Sequence, residues 1–100
     1  RVDLQWVDSE ALTDPVQAEA MLRGASGVLV PGGFGARGVP GMLAAIRWAR
    51  EQRIPTFGIC LGMQLLLIEA AREMLGWTRA DSTEFNPHTP EPVVDLLRTQ

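Results

Sequence analysis

A cysteine flanked by two glycines is the residue of this sequence best placed for covalent chemistry. Cys60 lies in the middle of the segment Gly-Ile-Cys-Leu-Gly, residues 58–62, where a short apolar run ends and a helical pattern begins. A Gly-x-nucleophile-x-Gly segment permits a sharp, strained turn from strand into helix that exposes the central side chain. The following helix directs its free N–H groups at the sulfur and stabilises the thiolate, which is the reactive form. The pattern therefore predicts that Cys60 is a nucleophile.

A lone cysteine is more often a small buried hydrophobe, so a second feature is needed to favour the nucleophile. That feature is the segment Pro-Gly-Gly-Phe-Gly, residues 31–35, which follows another short apolar run. A loop without side chains lets backbone N–H groups approach an oxyanion closely, as acyl transfer requires. The N–H groups of Leu61 and Gly33 are the predicted donors. The loop could also be a simple turn or a phosphate cradle, although no P-loop lysine accompanies it.

Both segments are placed by alternating strands and helices. Strands are predicted at residues 2–6, 27–30, 54–59 and 93–97, with a proline-containing loop over residues 77–92. Helices are predicted from Asp14-Pro15 to Gly24, from Pro40 to Glu51 and from Leu61 to Leu75. This order predicts an α/β fold in which a parallel sheet carries helices on both faces. Ligands of such sheets bind at the carboxyl ends of the strands, where the two glycine-containing segments should face each other.

Composition narrows the possible functions. The 100 residues are 46% hydrophobic and 21% charged with a net charge of −3, which predicts a single globular domain and argues against nucleic acid or a membrane as partner. A single cysteine fits a reducing compartment, so we expect a cytoplasmic protein. Because the chain opens on Arg1, we expect a piece of a longer protein. No metal site is predicted.

Two motifs together resemble a known enzyme family. Residues 31–38 read Pro-Gly-Gly-Phe-Gly-Ala-Arg-Gly and residues 58–64 read Gly-Ile-Cys-Leu-Gly-Met-Gln, and this pair is similar to the class I (triad-type) glutamine amidotransferases. Within the family, Phe34 to Gly38 and Asp81 to Pro87 are closest to the branch that makes CTP. The resemblance covers residues 4–95. It implies a flavodoxin-like glutaminase domain of which residues 1–100 are the N-terminal portion.

The resemblance also implies roles for individual residues. Cys60 would attack the side-chain amide of glutamine to form a thioester and release ammonia, while Gly33 and Leu61 would hold the oxyanion. Glu84 would bind the ammonium group of the substrate. The remaining residues of the implied glutamine pocket are Phe34, Gly62, Met63 and Gln64. Two roles stay open for Arg37: it would contribute to binding of a GTP activator, or it would form only a surface ion pair.

The chain lacks part of the implied machinery. The family uses a Cys-His-Glu triad, but the one histidine, His88, has Pro90 where the paired glutamate should stand, so no catalytic role is assigned to it. The catalytic His and Glu are expected beyond Gln100, and the excised chain alone is expected to be inactive. A synthase domain would use ATP and Mg²⁺, with GTP as activator, to convert UTP to CTP with the ammonia. A homotetramer is implied for the full-length protein.

Three alternatives stay open at this stage. Another class I amidotransferase, such as one serving GMP or anthranilate synthesis, would share the Cys60 turn but not the Asp81–Pro87 element. A non-catalytic module of the same fold would use the pocket only for binding. A redox-sensing cysteine would form a sulfenic acid without glutaminase activity.

Overall fold

The computed structural model describes residues 1–33 and 36–97, which form short parallel strands joined by helices. A 3₁₀ turn at Ser9–Ala11 precedes the regular elements. In chain order these are α1 (Pro15–Leu22), β1 (Val28–Val30), α2 (Val39–Glu51), β2 (Thr56–Gly58), α3 (Leu61–Met74), β3 (Ala80–Ser82) and β4 (Glu91–Val94). The α/β class and the order of helices and strands between residues 14 and 76 agree with the prediction from sequence.

The strands pair in two separate parallel sheets among the described residues. β1 pairs with β2 in the register Val28 to Thr56 and Val30 to Gly58, and β3 pairs with β4. Because β1 and β2 are neighbours, their carboxyl ends lie side by side. The structure therefore brings the segments that follow these two strands to one edge of the sheet.

The helices of the described chain cover one face of the β1–β2 sheet. Val30 is buried in a cluster with residues of α2 and α3, whereas Leu29 and Phe57, paired on the opposite face, are 59% and 63% exposed. Helices were predicted on both faces of the sheet, and the described residues provide them on one face. The core consists of two clusters. The first is Leu12, Ala18, Leu22, Ala45, Trp48 and Ala49, and the second is Val30, Ile46, Leu61, Leu65 and Ile68.

The helix boundaries follow the residues that predicted them. Asp14 caps α1, since its carboxylate Oδ1 accepts a hydrogen bond from the N–H of Gln17 at 2.9 Å, and Pro15 takes the first helical position. Gly24 and Gly76 follow α1 and α3 with φ of +86° and +74°. Such left-handed backbone favours glycine and ends a helix.

Two predictions about strands are wrong. Residues 2–6 form no strand, and Val2, Leu4 and Trp6 are at least three-quarters exposed, because no neighbouring strand of the described chain pairs with them. The predicted loop over residues 77–92 contains β3 and the start of β4, so the last strand runs from Glu91 to Val94 and not from residue 93 to residue 97. Prolines did not prevent this pairing, since β4 lies at the edge of a two-stranded sheet.

The described helices are all too short, or not apolar enough, to cross a membrane.

Candidate active site

Cys60 occupies a strained turn between β2 and α3. Its backbone has φ of +56° and ψ of −112°, a left-handed conformation that costs a non-glycine residue about 1–3 kcal/mol. The turn is held on both sides: Ile59 N–H donates to the carbonyl of Val30 at 2.9 Å, and Gln64 N–H donates to the carbonyl of Cys60 at 3.1 Å. The thiol is free and exposed at the start of α3. The predicted strained turn with an outward-facing side chain is therefore confirmed.

The two glycines that flank Cys60 are required by close backbone contacts. A Cβ on Gly62 would lie 2.0 Å from the carbonyl oxygen of Val30, and a Cβ on Gly58 would lie 2.6 Å from the amide nitrogen of Met63. Real Cβ atoms do not approach other atoms to less than 3.0 Å. The first turn of α3 thus rests directly on the end of β1, which is possible only without side chains at these positions.

The glycine-containing loop after β1 lies against Cys60, as the sequence predicted. A Cβ placed on Gly32 would be 3.2 Å from the Cβ of Cys60 and 3.9 Å from its sulfur. A Cβ placed on Gly33 would be 3.8 Å from Cδ2 of Leu61. The backbone of the loop therefore borders the thiol and the residue that follows it. Phe34, the next residue of the implied pocket, lies outside the described residues.

Three further residues of the implied pocket lie on the first turn of α3. Gly62 is buried, Met63 is about half exposed, and Gln64 is partly buried. Residues 62–64 lie on the first turn of α3, so the helix alone keeps them near Cys60 in the chain. An exposed thiol at a helix N-terminus, beside a loop of unsubstituted backbone, can attack a carbonyl carbon and leave the resulting oxyanion near backbone donors.

Glu84 is presented on a turn that packs against α3. Glu84 itself is exposed, and its N–H donates to the hydroxyl of Ser82 at 3.2 Å. Phe85, the next residue, packs against the core cluster that contains Leu61 and Leu65. The fold thus attaches the turn that carries Glu84 to the helix that begins directly after Cys60.

The remaining two residues weighed from the sequence have other surroundings. Arg37 forms an exposed ion pair with Glu10, with 2.6 Å between Nε and Oε1. His88 is exposed, and its backbone N–H donates to the side-chain oxygen of Asn86. Neither contact involves the Cys60 turn.

Sequence reasoning missed Arg72, which makes polar contacts from α3 to β3. Its guanidinium Nε donates to the carbonyl of Ala80 at 2.7 Å, and its Nη2 lies 3.4 Å from Oδ2 of Asp81. The available signal was its position, since Arg72 continues the apolar row of Leu65 and Ile68 along the helix. A cation in such a row needs a polar partner from the element packed against it.

In the described part of the chain, no group of three or more His, Cys, Asp and Glu side chains is arranged to hold a metal ion.

Comparison with known proteins identifies the family of the chain. A family model described as glutamine amidotransferase class-I matches residues 1–94. The chain therefore belongs to the class I glutamine amidotransferases, the family that its motifs resemble.

Within this family, the relatives that the chain matches are CTP synthases. The chain is 54% identical to the CTP synthase of Geobacillus kaustophilus and 57% identical to that of Halalkalibacterium halodurans, in each case over 99% of the chain. Its backbone matches the glutaminase domain of the Trypanosoma brucei CTPS, solved with bound acivicin, with a TM-score of 0.89 and 46% identity over 99% of the chain. The chain spans 18% of the length of those two bacterial relatives and 38% of the solved trypanosomal chain. It is thus similar throughout to the glutaminase domain of CTP synthases.

Proposed function

We propose that this chain is the nucleophile-bearing N-terminal portion of the glutaminase domain of a CTP synthase. The proposal is supported by the family match, by the relatives, and above all by one observation. Cys60 stands exposed on a left-handed turn with the Gly32–Gly33 backbone against it. Structural cysteines are usually buried and do not require backbone strain, whereas a nucleophile must be presented to its substrate.

In the proposed reaction, the Cys60 thiolate adds to the side-chain amide carbon of glutamine. The electron pair of the C=O bond moves to oxygen, where the N–H groups of Gly33 and Leu61 would stabilise the charge. The tetrahedral intermediate collapses as the C–N bond breaks, the nitrogen takes a proton and leaves as ammonia, and a glutamyl thioester remains. Water then hydrolyses the thioester to glutamate and restores the thiol.

In the proposal, glutamine is recognised by a charge pair at its α-amino group, the end of the substrate opposite to the reacting amide. The carboxylate of Glu84 would bind the ammonium group of the substrate, a charge-assisted contact that distinguishes glutamine from simple amides. Phe34, Gly62, Met63 and Gln64 would line the rest of the pocket. The histidine and glutamate that move the protons would come from the part of the domain outside this chain. We therefore expect residues 1–100 alone to release no ammonia from glutamine.

The ammonia would pass to a synthase domain elsewhere in the full-length protein. There ATP, with Mg²⁺, activates UTP for amination to CTP, and GTP is the proposed activator. The residues of this chain contribute only the release of ammonia. We further propose a cytoplasmic homotetramer for the full-length enzyme.

The test is to measure CTP formation by the full-length protein from UTP and ATP, with either glutamine or ammonium chloride as nitrogen source. We expect Cys60→Ala to abolish the glutamine-driven reaction, by at least about 10³-fold, and to leave the ammonia-driven reaction unchanged. CTP formation from glutamine by Cys60→Ala would show that another residue is the nucleophile. Absence of CTP with either nitrogen source in the unmodified protein would contradict the assignment of UTP as acceptor.

A further inference from the structure

The turn that carries Glu84 is held by hydrogen bonds to buried Ser82 and to the end of β4, where the N–H of Thr83 donates to the carbonyl of Val94 at 3.0 Å and its hydroxyl to Oδ1 of Asp95 at 2.7 Å. Ser82 is 2% exposed, and its hydroxyl accepts the Glu84 N–H, while its carbonyl accepts the N–H groups of Phe85 and Asn86 at 3.1 and 2.9 Å. We call residues 82–86 the Glu84 turn. Because these bonds determine the backbone at Glu84, the position of Ser82 determines where the Glu84 carboxylate can reach.

Strand pairing alone holds Ser82 weakly. β3 has only three residues, its partner β4 contains Pro92, which cannot donate a ladder hydrogen bond, and the register shifts between Asp81 and Ser82. An irregular pairing of this kind leaves the end of the strand free to move unless other contacts fix it. Besides the two Thr83 bonds to the end of β4, the contacts that fix this end of the strand involve Asp81.

The Asp81 carboxylate joins the Glu84 turn to α3. Its Oδ1 accepts the N–H of Ser82 at 2.8 Å, and its Oδ2 lies 3.4 Å from Nη2 of Arg72. The Nε of the same guanidinium donates to the carbonyl of Ala80 at 2.7 Å. The side chains of Arg72 and Asp81 are 31% and 21% exposed, so solvent screens this pair less than a surface ion pair. The contacts thus run without a break from Arg72 through Asp81 and Ser82 to Glu84.

The geometry points to Arg72 as a positioning residue for glutamine recognition. α3 begins directly after Cys60, so Arg72 attaches the Glu84 turn to the same rigid helix that presents the nucleophile. Phe85 supplies a second attachment through the core near Leu61. Two attachments to one helix fix the backbone at Glu84 relative to the Cys60 turn. This inference rests on the proposed function, in which Glu84 binds the ammonium group of glutamine.

The planar guanidinium is needed because two acceptors are held at once. Lysine carries its three N–H donors on one nitrogen and lacks the two separated nitrogens with which the guanidinium reaches the Ala80 carbonyl and the Asp81 carboxylate. Arg72→Lys should therefore recover part of what Arg72→Met loses. A purely structural role for the positive charge would be recovered by lysine in full.

The experiment measures glutamine KM and kcat for full-length Arg72→Met, Arg72→Lys, Glu84→Gln and the Arg72→Met/Glu84→Gln double variant, together with ammonia-driven CTP formation. We expect Arg72→Met to raise the KM for glutamine about tenfold, with kcat and the ammonia-driven rate within about twofold of the unmodified enzyme. The glutamine KM of Arg72→Lys should lie between that of Arg72→Met and that of the unmodified enzyme. The double variant should have the KM of Glu84→Gln alone, because Arg72 acts through Glu84. Arg47→Met is the matched control, since Arg47 pairs with Glu51 and Glu73 away from the Glu84 turn.

Each contrary result has a distinct meaning. If Glu84→Gln raises the KM and Arg72→Met does not, the positioning role of Arg72 is wrong and the proposed function stands. If the two substitutions multiply in the double variant, Arg72 acts independently of Glu84 and the inference is overturned. If Arg72→Met lowers the ammonia-driven rate as well, the residue has only a general structural role. If Glu84→Gln leaves the KM unchanged, the Glu84 assignment itself fails, and the inference fails with it.

Discussion

Substitution of Gly62 by alanine should separate the glutamine-driven reaction from the ammonia-driven reaction. The added Cβ would lie 2.0 Å from the carbonyl oxygen of Val30, whereas such contacts do not occur below 3.0 Å. The first turn of α3 must then move away from β1 by about 1 Å, and it carries Cys60 with it. A displacement of about 1 Å of a reacting group can cost roughly 100-fold in rate. We expect at least that loss in glutamine-driven turnover of the full-length protein.

The assay is CTP formation with glutamine or with ammonium chloride, and glutamate release measures the first step directly. Gly27→Ala is the matched control, because its Cβ would lie 3.6 Å from the carbonyl oxygen of Pro55, an ordinary contact. Gly27→Ala should retain both reactions. Glutamine-driven turnover of Gly62→Ala within about threefold of the unmodified protein would refute the argument that close packing of α3 on β1 positions the nucleophile. Loss of the ammonia-driven reaction in Gly62→Ala would refute the argument that the effect is local.

Two further predictions concern stability and pH. Arg50→Met should lower the free energy of unfolding by about 3 kcal/mol in urea denaturation, because it leaves the buried carboxylate of Glu69 without its partner at 2.9 Å. This is the lower end of the range for breaking a buried pair, since the Arg50 side chain is itself 34% exposed. Arg50→Met/Glu69→Leu should recover most of that loss, and equal stability of the two variants would contradict the role of the ion pair. The hydrogen bond from the Trp48 indole, 2.6 Å long, lowers the pKa of Glu19 below its ordinary value of 4.5, with Arg23 adding to the effect against some desolvation. The ionised Glu19 carboxylate therefore stabilises the fold above pH 4.5, and this contribution is lost as the pH falls through its lowered pKa. The indole N–H resonance of Trp48 should shift over that acid range in NMR spectra, and a Glu19→Gln variant that shifts equally would disprove the assignment.

The candidate nucleophile could be predicted from the sequence because its geometry depends on neighbouring residues. Glycines at positions 58 and 62 permit close backbone contact on both sides of Cys60, and those contacts are what the structure contains. The loop at Gly32 could be placed against Cys60 since consecutive parallel strands usually pair. Local chemistry and one topological rule were sufficient for this part of the site.

The environment of Glu84 could not be predicted in the same way. β3 is short and contains two polar residues among its three, so neither alternation nor apolar content marks it as a strand. Its existence depends on pairing with β4 and on the guanidinium of Arg72, which are contacts between residues distant in the sequence. Residues 2–6 show the opposite case, in which alternation is clear but no described strand pairs with it. A strand is defined by its partner, and the partner is not encoded locally.

The exposed face of the β1–β2 sheet also depends on a partner element that the local sequence does not encode. A continuous apolar run such as residues 27–30 is typical of a parallel strand buried on both faces. Yet Leu29 and Phe57 pair on a face that no helix of the described chain covers. The chain spans 38% of the solved trypanosomal chain that it matches, which agrees with the proposal that it is one part of a larger glutaminase domain. In the proposed larger domain this face would be covered, and the apolar pattern of β1 would then match burial on both faces.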